Sequence, residues 1–119
     1  MQLSIVNENV KITWEWYEQL LTFNFNETFV IPINHIAAVT ITEPASSWAE
    51  IRCPGTGIPG IIKAGTFYSN RGKEFWYVTQ DKNYLTLELR DEPFQRIILT
   101  IDNNHAWAER ISQFVPVAG

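Results

Sequence analysis

One cysteine, Cys53, and two histidines, His35 and His105, are the residues in this chain best suited to nucleophilic or metal chemistry. A cysteine nucleophile needs a base within hydrogen-bond reach and a third group to orient that base. The sequence shows no such grouping. His105 opens a predicted helix, where a positive charge opposes the helix dipole, so it is poorly placed as a general base. Cys53 sits beside Pro54 and reads as a small packed apolar residue. Two isolated histidines with no carboxylate at helical ligand spacing do not make a metal site, and a single cysteine makes a cysteine-ligated zinc hard to build. The expectation is a protein with no catalytic residue, no metal and no cofactor.

A second concentration of chemistry surrounds "CPGTGIPG", residues 53–60. Arg52, Gly55, Thr56, Gly57, Gly60 and Lys63 form a candidate recognition loop, whose exposed backbone N–H groups could make an anion nest. The loop lacks the lysine-serine or lysine-threonine pair of a phosphate loop, and a strand follows it where a helix is needed. Nucleotide binding is therefore not expected. The simpler reading is a structural turn, because glycine opens backbone angles closed to other residues and proline stiffens the loop. Arg71 and Lys73 extend the basic cluster, but 13 acidic against 9 basic residues give a net charge of -4. That balance argues against a nucleic-acid partner.

The elements around these residues are mostly strands. "KITWEW" alternates Ile12, Trp14 and Trp16 against Lys11, Thr13 and Glu15, and "LLTFNFN" alternates Leu21, Phe23 and Phe25, so the two read as a hairpin joined through "YEQ". On that reading Trp14 and Trp16 share one face. "TFVIPI" contains Pro32, which marks an edge strand or a bend, and "HIAAVTIT" resumes as a strand with Ile36 at its start. "SSWAEIR" leads into the glycine-rich loop. "IIKAGTFYS", "KEFWYVTQ", "YLTLELR" and "QRIILTI" follow, the first two joined by the turn signal "NRG". Gly65 inside a strand predicts a bulge or a close backbone approach.

Only the last segment has helical spacing. Trp107, Ile111, Phe114 and Val115 make one apolar stripe, Asp102 or Asn103 can cap it, and Pro116 stops it. Trp107 is expected to be its largest anchor, plugging one end of a curled sheet.

With 119 residues, 45% hydrophobic and 18% charged, the chain reads as one ordered domain, 1–119. The absence of a possible internal disulfide fits a reducing interior. No leader peptide or membrane-length apolar run is recognisable, and a cytoplasmic location is expected. Phe75 and Trp76 are adjacent, so in a strand they point oppositely. They form a candidate interface, because one of them leaves the main core unless the sheet is covered on both sides. The same reasoning applies to Leu20 and Leu21.

The phrases "IPINHIAAV", "RCPGTGIPGIIKAGTF", "GKEFWYVT" and "LTLELR", with the final helix, resemble a bacterial pleckstrin-homology-like (PH-like) family of no settled function. The matching positions are Ile31, Pro32 and Ile36; Arg52, Pro54, Gly55 and Thr56; Pro59 and Gly60; Gly65, Thr66 and Phe67; Phe75 and Trp76. The resemblance implies a mainly β fold: a bent, partly open antiparallel barrel or roll of about seven strands capped by one C-terminal α-helix. Such domains bind anionic headgroups through basic residues around the first hairpin, whereas "WEWYEQ" supplies Glu15 and Glu18 there. The functional expectation is a small non-enzymatic binding or scaffolding module working through a protein partner or self-association. The alternative is a peripheral membrane or lipid-binding role, which the net charge disfavours.

Overall fold

The computed structural model describes residues 1–22, 24–42, 61–69, 72–79, 81 and 83–114. They form a mainly β protein of two sheets. Strands β1 (Gln2–Val6), β2 (Asn9–Thr13) and β3 (Thr28–Pro32) form an antiparallel three-stranded sheet in that order. Between β2 and β3 lies helix α1 (Trp16–Thr22). A 3₁₀ turn, Ile33–His35, leads to β4 (Ile36–Thr40). Strands β5 (Ile61–Ser69), β6 (Gly72–Thr79), β7 (Tyr84–Leu89) and β8 (Arg96–Thr100) complete a five-stranded sheet ordered β4-β7-β8-β6-β5. Helix α2 (Asn104–Ser112) follows.

The β1–β2 hairpin closes on two residues, Asn7 and Glu8, both at positive φ (52° and 63°). That is the left-handed geometry that matches strand twist in a two-residue turn. The glycine of "NRG" behaves as its turn signal predicts, with Gly72 at φ 126°.

The expected all-antiparallel arrangement is corrected at one pairing. Among the described residues five of the six strand pairings are antiparallel, but β6 and β8 run parallel, with Trp76 opposite Ile98. The chain leaves β6, skips one strand position to start β7, and then returns as β8 into the gap. A strand antiparallel to β7 in that gap is necessarily parallel to β6. Among the described residues no strand pairs across from β1, β2 or β3 to the larger sheet, so the two do not join into one closed barrel there.

The main core lies between the sheets. Val10, Ile12, Ile31, Ile36, Phe75, Leu85, Leu87, Ile97, Leu99 and Ile111 are sealed within it. Trp14 centres its aromatic part, with Phe75, Phe29 and Tyr77 at ring distances of 5.1, 5.4 and 5.7 Å. The opposite face of the larger sheet carries a second cluster of Trp76, Val78, Tyr84 and Ile98, with Phe67 against it. Strands β6 and β8 are thus buried on both faces, as expected of strands carrying the uninterrupted runs "FWYV" and "IIL".

The C-terminal helix forms in the expected segment but ends at Ser112, with Val115 and Pro116 outside the described residues, and its anchor is different. Ile111 is fully buried, whereas Trp107 is half-buried, and Arg110 lies over its ring at 4.6 Å. Phe114 is exposed. Asn103 occupies the N-cap in a left-handed conformation without a side-chain bond, while Asn104 is buried and donates to the Tyr84 carbonyl oxygen at 2.8 Å. A short branched aliphatic fits the tight approach of α2 to β4 and β7, and the larger indole lies at the margin.

Candidate contact surface on the first helix

Strand β2 does not continue through "TWEW". Trp14 still donates its N–H to Glu27 O at 2.8 Å, and then the backbone turns into α1. The cause is local. The Glu18 carboxylate reaches back to accept the Glu15 N–H at 2.8 Å, which is the returning half of a capping box with Glu15 at the N-cap and Glu18 at the third helical position. The start of the expected strand, Leu20 to Thr22, is therefore helical, Asn24 to Asn26 form no strand, Phe23 lies outside the described residues, and the shared face of Trp14 and Trp16 is lost. Trp14 is buried and Trp16 is 70% exposed.

The helix presents an unusual pattern. Among its residues with described side chains the buried positions are polar: Glu18 and Thr22, one turn apart. Thr22 Oγ1 donates to the Glu18 carbonyl at 2.8 Å. Glu18 Oε1 lies 2.6 Å from the α-ammonium of Met1, and the Glu18 side chain is buried. Burial first, then the negative charges of Glu18 and Tyr17 and a hydrogen bond to Glu18, raise the Tyr77 phenol well above the ordinary tyrosine pKa. The underside of α1 is thus a desolvated polar anchor linking the first strand, the helix and β6.

The outer side of α1 is apolar. Trp16, Tyr17 (46%) and Leu20 (54%) are exposed, with the Trp16 and Tyr17 rings edge-on at 5.9 Å. Residues 16 and 20 are neighbours on a helix surface. Beyond the helix, Phe25 is also exposed. Helix α1 packs on β5, where Gly65 has φ 131°. A side-chain carbon there would meet the Thr22 carbonyl oxygen at an ordinary 3.7 Å, so the backbone angle and not a close approach calls for glycine, and the register irregularity falls instead between Ile61 and Lys63.

The other expected site residues divide sharply. Arg52, Cys53, Gly55, Thr56, Gly57 and Gly60, with the "SSWAEIR" segment, lie outside the described residues, and Lys63 is placed in β5 by its backbone alone. Phe75 and Trp76 do point oppositely, but both are buried, one in each apolar cluster. The expectation that one of them forms an exposed interface is corrected: the larger sheet is covered on both sides. Of the Leu20 and Leu21 pair, Leu20 is exposed, and the Leu21 side chain lies outside the described residues. Lys73 lies over the Phe94 ring at 4.8 Å. His35 Nδ1 pairs with Glu92 Oε2 at 2.6 Å, and His105 is exposed. Among the described residues, no group of three or more histidine, cysteine or acidic side chains is placed to hold a metal, and no helix is long and apolar enough to cross a membrane.

No protein-family model, curated protein or solved structure matches the chain.

Proposed function

We propose that the protein is a small non-enzymatic binding or scaffolding module of PH-like character that acts through protein–protein contacts. Two packed sheets with a C-terminal helix support the PH-like part of this reading, while the parallel β6–β8 pair and the additional helix α1 depart from it. The observation that carries the functional reading is the exposed apolar face of α1, formed by Trp16, Tyr17 and Leu20. Aromatic side chains of this kind are enriched where protein interfaces are densest in binding energy. The face is flanked by Glu15, and no basic residue lies on α1 or between it and β3. An anionic ligand or membrane would need cationic groups there.

Light scattering over graded concentration and salt, together with sedimentation of anionic and zwitterionic vesicles, tests the proposal. Association that persists at high salt and is lost in Trp16→Ala with Leu20→Asp supports protein contact. Salt-sensitive vesicle binding, abolished by Lys63→Glu with Lys73→Glu, would favour the membrane alternative.

A further inference from the structure

The seam between the two sheets has a chemistry of its own. The β2–β3 register pairs Thr13 with Thr28, Ile12 with Phe29, Lys11 with Val30 and Val10 with Ile31. In an antiparallel ladder, pairs that exchange hydrogen bonds alternate with pairs that do not. The bonds Trp14 N–H to Glu27 O (2.8 Å) and Ile33 N–H to Glu8 O (3.0 Å) fix which pairs those are. Phe29 and Ile31 fall on bonded pairs, so Thr28 and Val30 direct their N–H and C=O groups away from β2. Strand β3 is an edge of its sheet. Among the described residues, no backbone or side-chain group bonds Thr28 or Val30 from the open side.

That edge borders a cleft of about 220 Å³, and its opposite wall is formed by Leu89, Ile97 and the β7–β8 turn at Glu92 and Phe94. The side chains of Leu89 and Ile97 are buried, and Val30 is exposed at the rim. Glu92 is the one ionisable residue of the lining, and it is paired with His35. The cleft therefore offers alternating main-chain donors and acceptors above an apolar floor; among the described residues no cation is part of its lining, and Lys73 stacks over the Phe94 ring at its wall. A polypeptide main chain in extended form presents the complementary groups at the matching two-residue repeat.

We propose that this open seam is a strand-accepting site: an extended, uncharged segment of a partner protein pairs with β3 at Thr28 and Val30 and places alternate small apolar side chains in the cleft. The proposal rests on reading the protein as a protein-contact module, but it is made by residues other than those of α1.

The test uses the full ¹⁵N-labelled chain titrated with a short capped peptide of alternating threonine and valine, carrying a terminal lysine for solubility. The same peptide N-methylated at every second residue is the control. The expected result is that the Thr28 and Val30 amides shift and gain protection from exchange, and that N-methylation weakens binding by about tenfold or more. Val30→Pro is expected to weaken it similarly, since an edge proline removes only the outward N–H. If that variant does not fold, the N-methylated control on the native chain decides. The Trp16→Ala, Leu20→Asp variant should bind the peptide unchanged, so failure of the α1 reading would not be mistaken for failure of this one. Equal binding of both peptides, or shifts confined to residues away from β3, would overturn the proposal. Shifts of Thr28 and Val30 on concentration alone would replace the partner segment with a second copy of the chain.

Discussion

Helix α2 buries Ile111 against the core and turns His105, Glu109 and Arg110 to solvent, whereas α1 buries Glu18 and Thr22 and turns Trp16, Tyr17 and Leu20 outward. The two helices are of similar length, nine and seven residues. Both are too short to persist alone in water, so tertiary contacts must hold each of them. For α2 those contacts are apolar burial supplemented by the Asn104 bond to Tyr84. For α1 the described side chains supply an ion pair and hydrogen bonds centred on the buried Glu18. A helix held by its polar side has its apolar side free, and large apolar residues that do not stabilise the fold invite another explanation. Contact with a partner is the one proposed here.

The largest effect that sharpens this contrast is expected at Glu18. Glu18→Ala leaves the Met1 ammonium without its partner and removes the buried acceptor of the Glu15 N–H. A loss of about 3–5 kcal/mol in urea melts is expected, as for other broken buried pairs. A loss below about 1 kcal/mol would show that polar anchoring does not hold α1. On the other helix, Ile111→Ala is expected to cost about 2–5 kcal/mol, as buried aliphatic truncations do, against about 1 kcal/mol for half-buried Trp107→Ala. Reversal of that order would restore Trp107 as the anchor.

A subtler effect lies in alkaline solution. The Tyr77 phenol has a raised pKa in the folded chain. Its contribution to stability is therefore complete below the ordinary tyrosine value of about 10 and is lost as pH rises beyond it, because the unfolded chain ionises first. Stability should then fall by up to about 1.4 kcal/mol per pH unit from this group. Tyr77→Phe should remove that share of the slope. An unchanged slope in the variant would mean that the phenol is not held neutral by its site.

Much of the larger sheet was legible because its strands carry the expected signals: the alternation of "LTLEL", the runs "FWYV" and "IIL", and glycine at the "NRG" turn. The Pro32 signal was also sound, since β3 is an edge strand and ends there. Helix α1 was not legible, for a reason the comparison makes plain. Periodicity finds a helix by assuming that its apolar residues face inward, and here Trp16 and Leu20 face outward. The residues Thr13, Trp14, Glu15 and Trp16 also alternate well enough to imitate a strand, and the cap is a glutamate rather than the usual serine, threonine, asparagine or aspartate. The β1–β2 hairpin escaped notice because Asn7-Glu8 lacks the glycine that usually marks such a turn. The parallel β6–β8 pairing depends on which gap a returning strand fills, and local sequence carries no record of that. The adjacency of Leu20 and Leu21 marked one of the two as surplus to one core, but which one, and the partnership of Leu20 with Trp16, needed the helix.

The central claim is that the outer face of α1 serves contact and not stability. Sedimentation velocity and urea melts of the wild-type chain and of Trp16→Ala, Leu20→Asp, run together over graded concentration at high salt, test it most directly. The account predicts that the variant melts within about 0.5 kcal/mol of wild type, while concentration-dependent association seen in the wild type disappears. A variant that loses several kcal/mol, or one that associates as the wild type does, would contradict it.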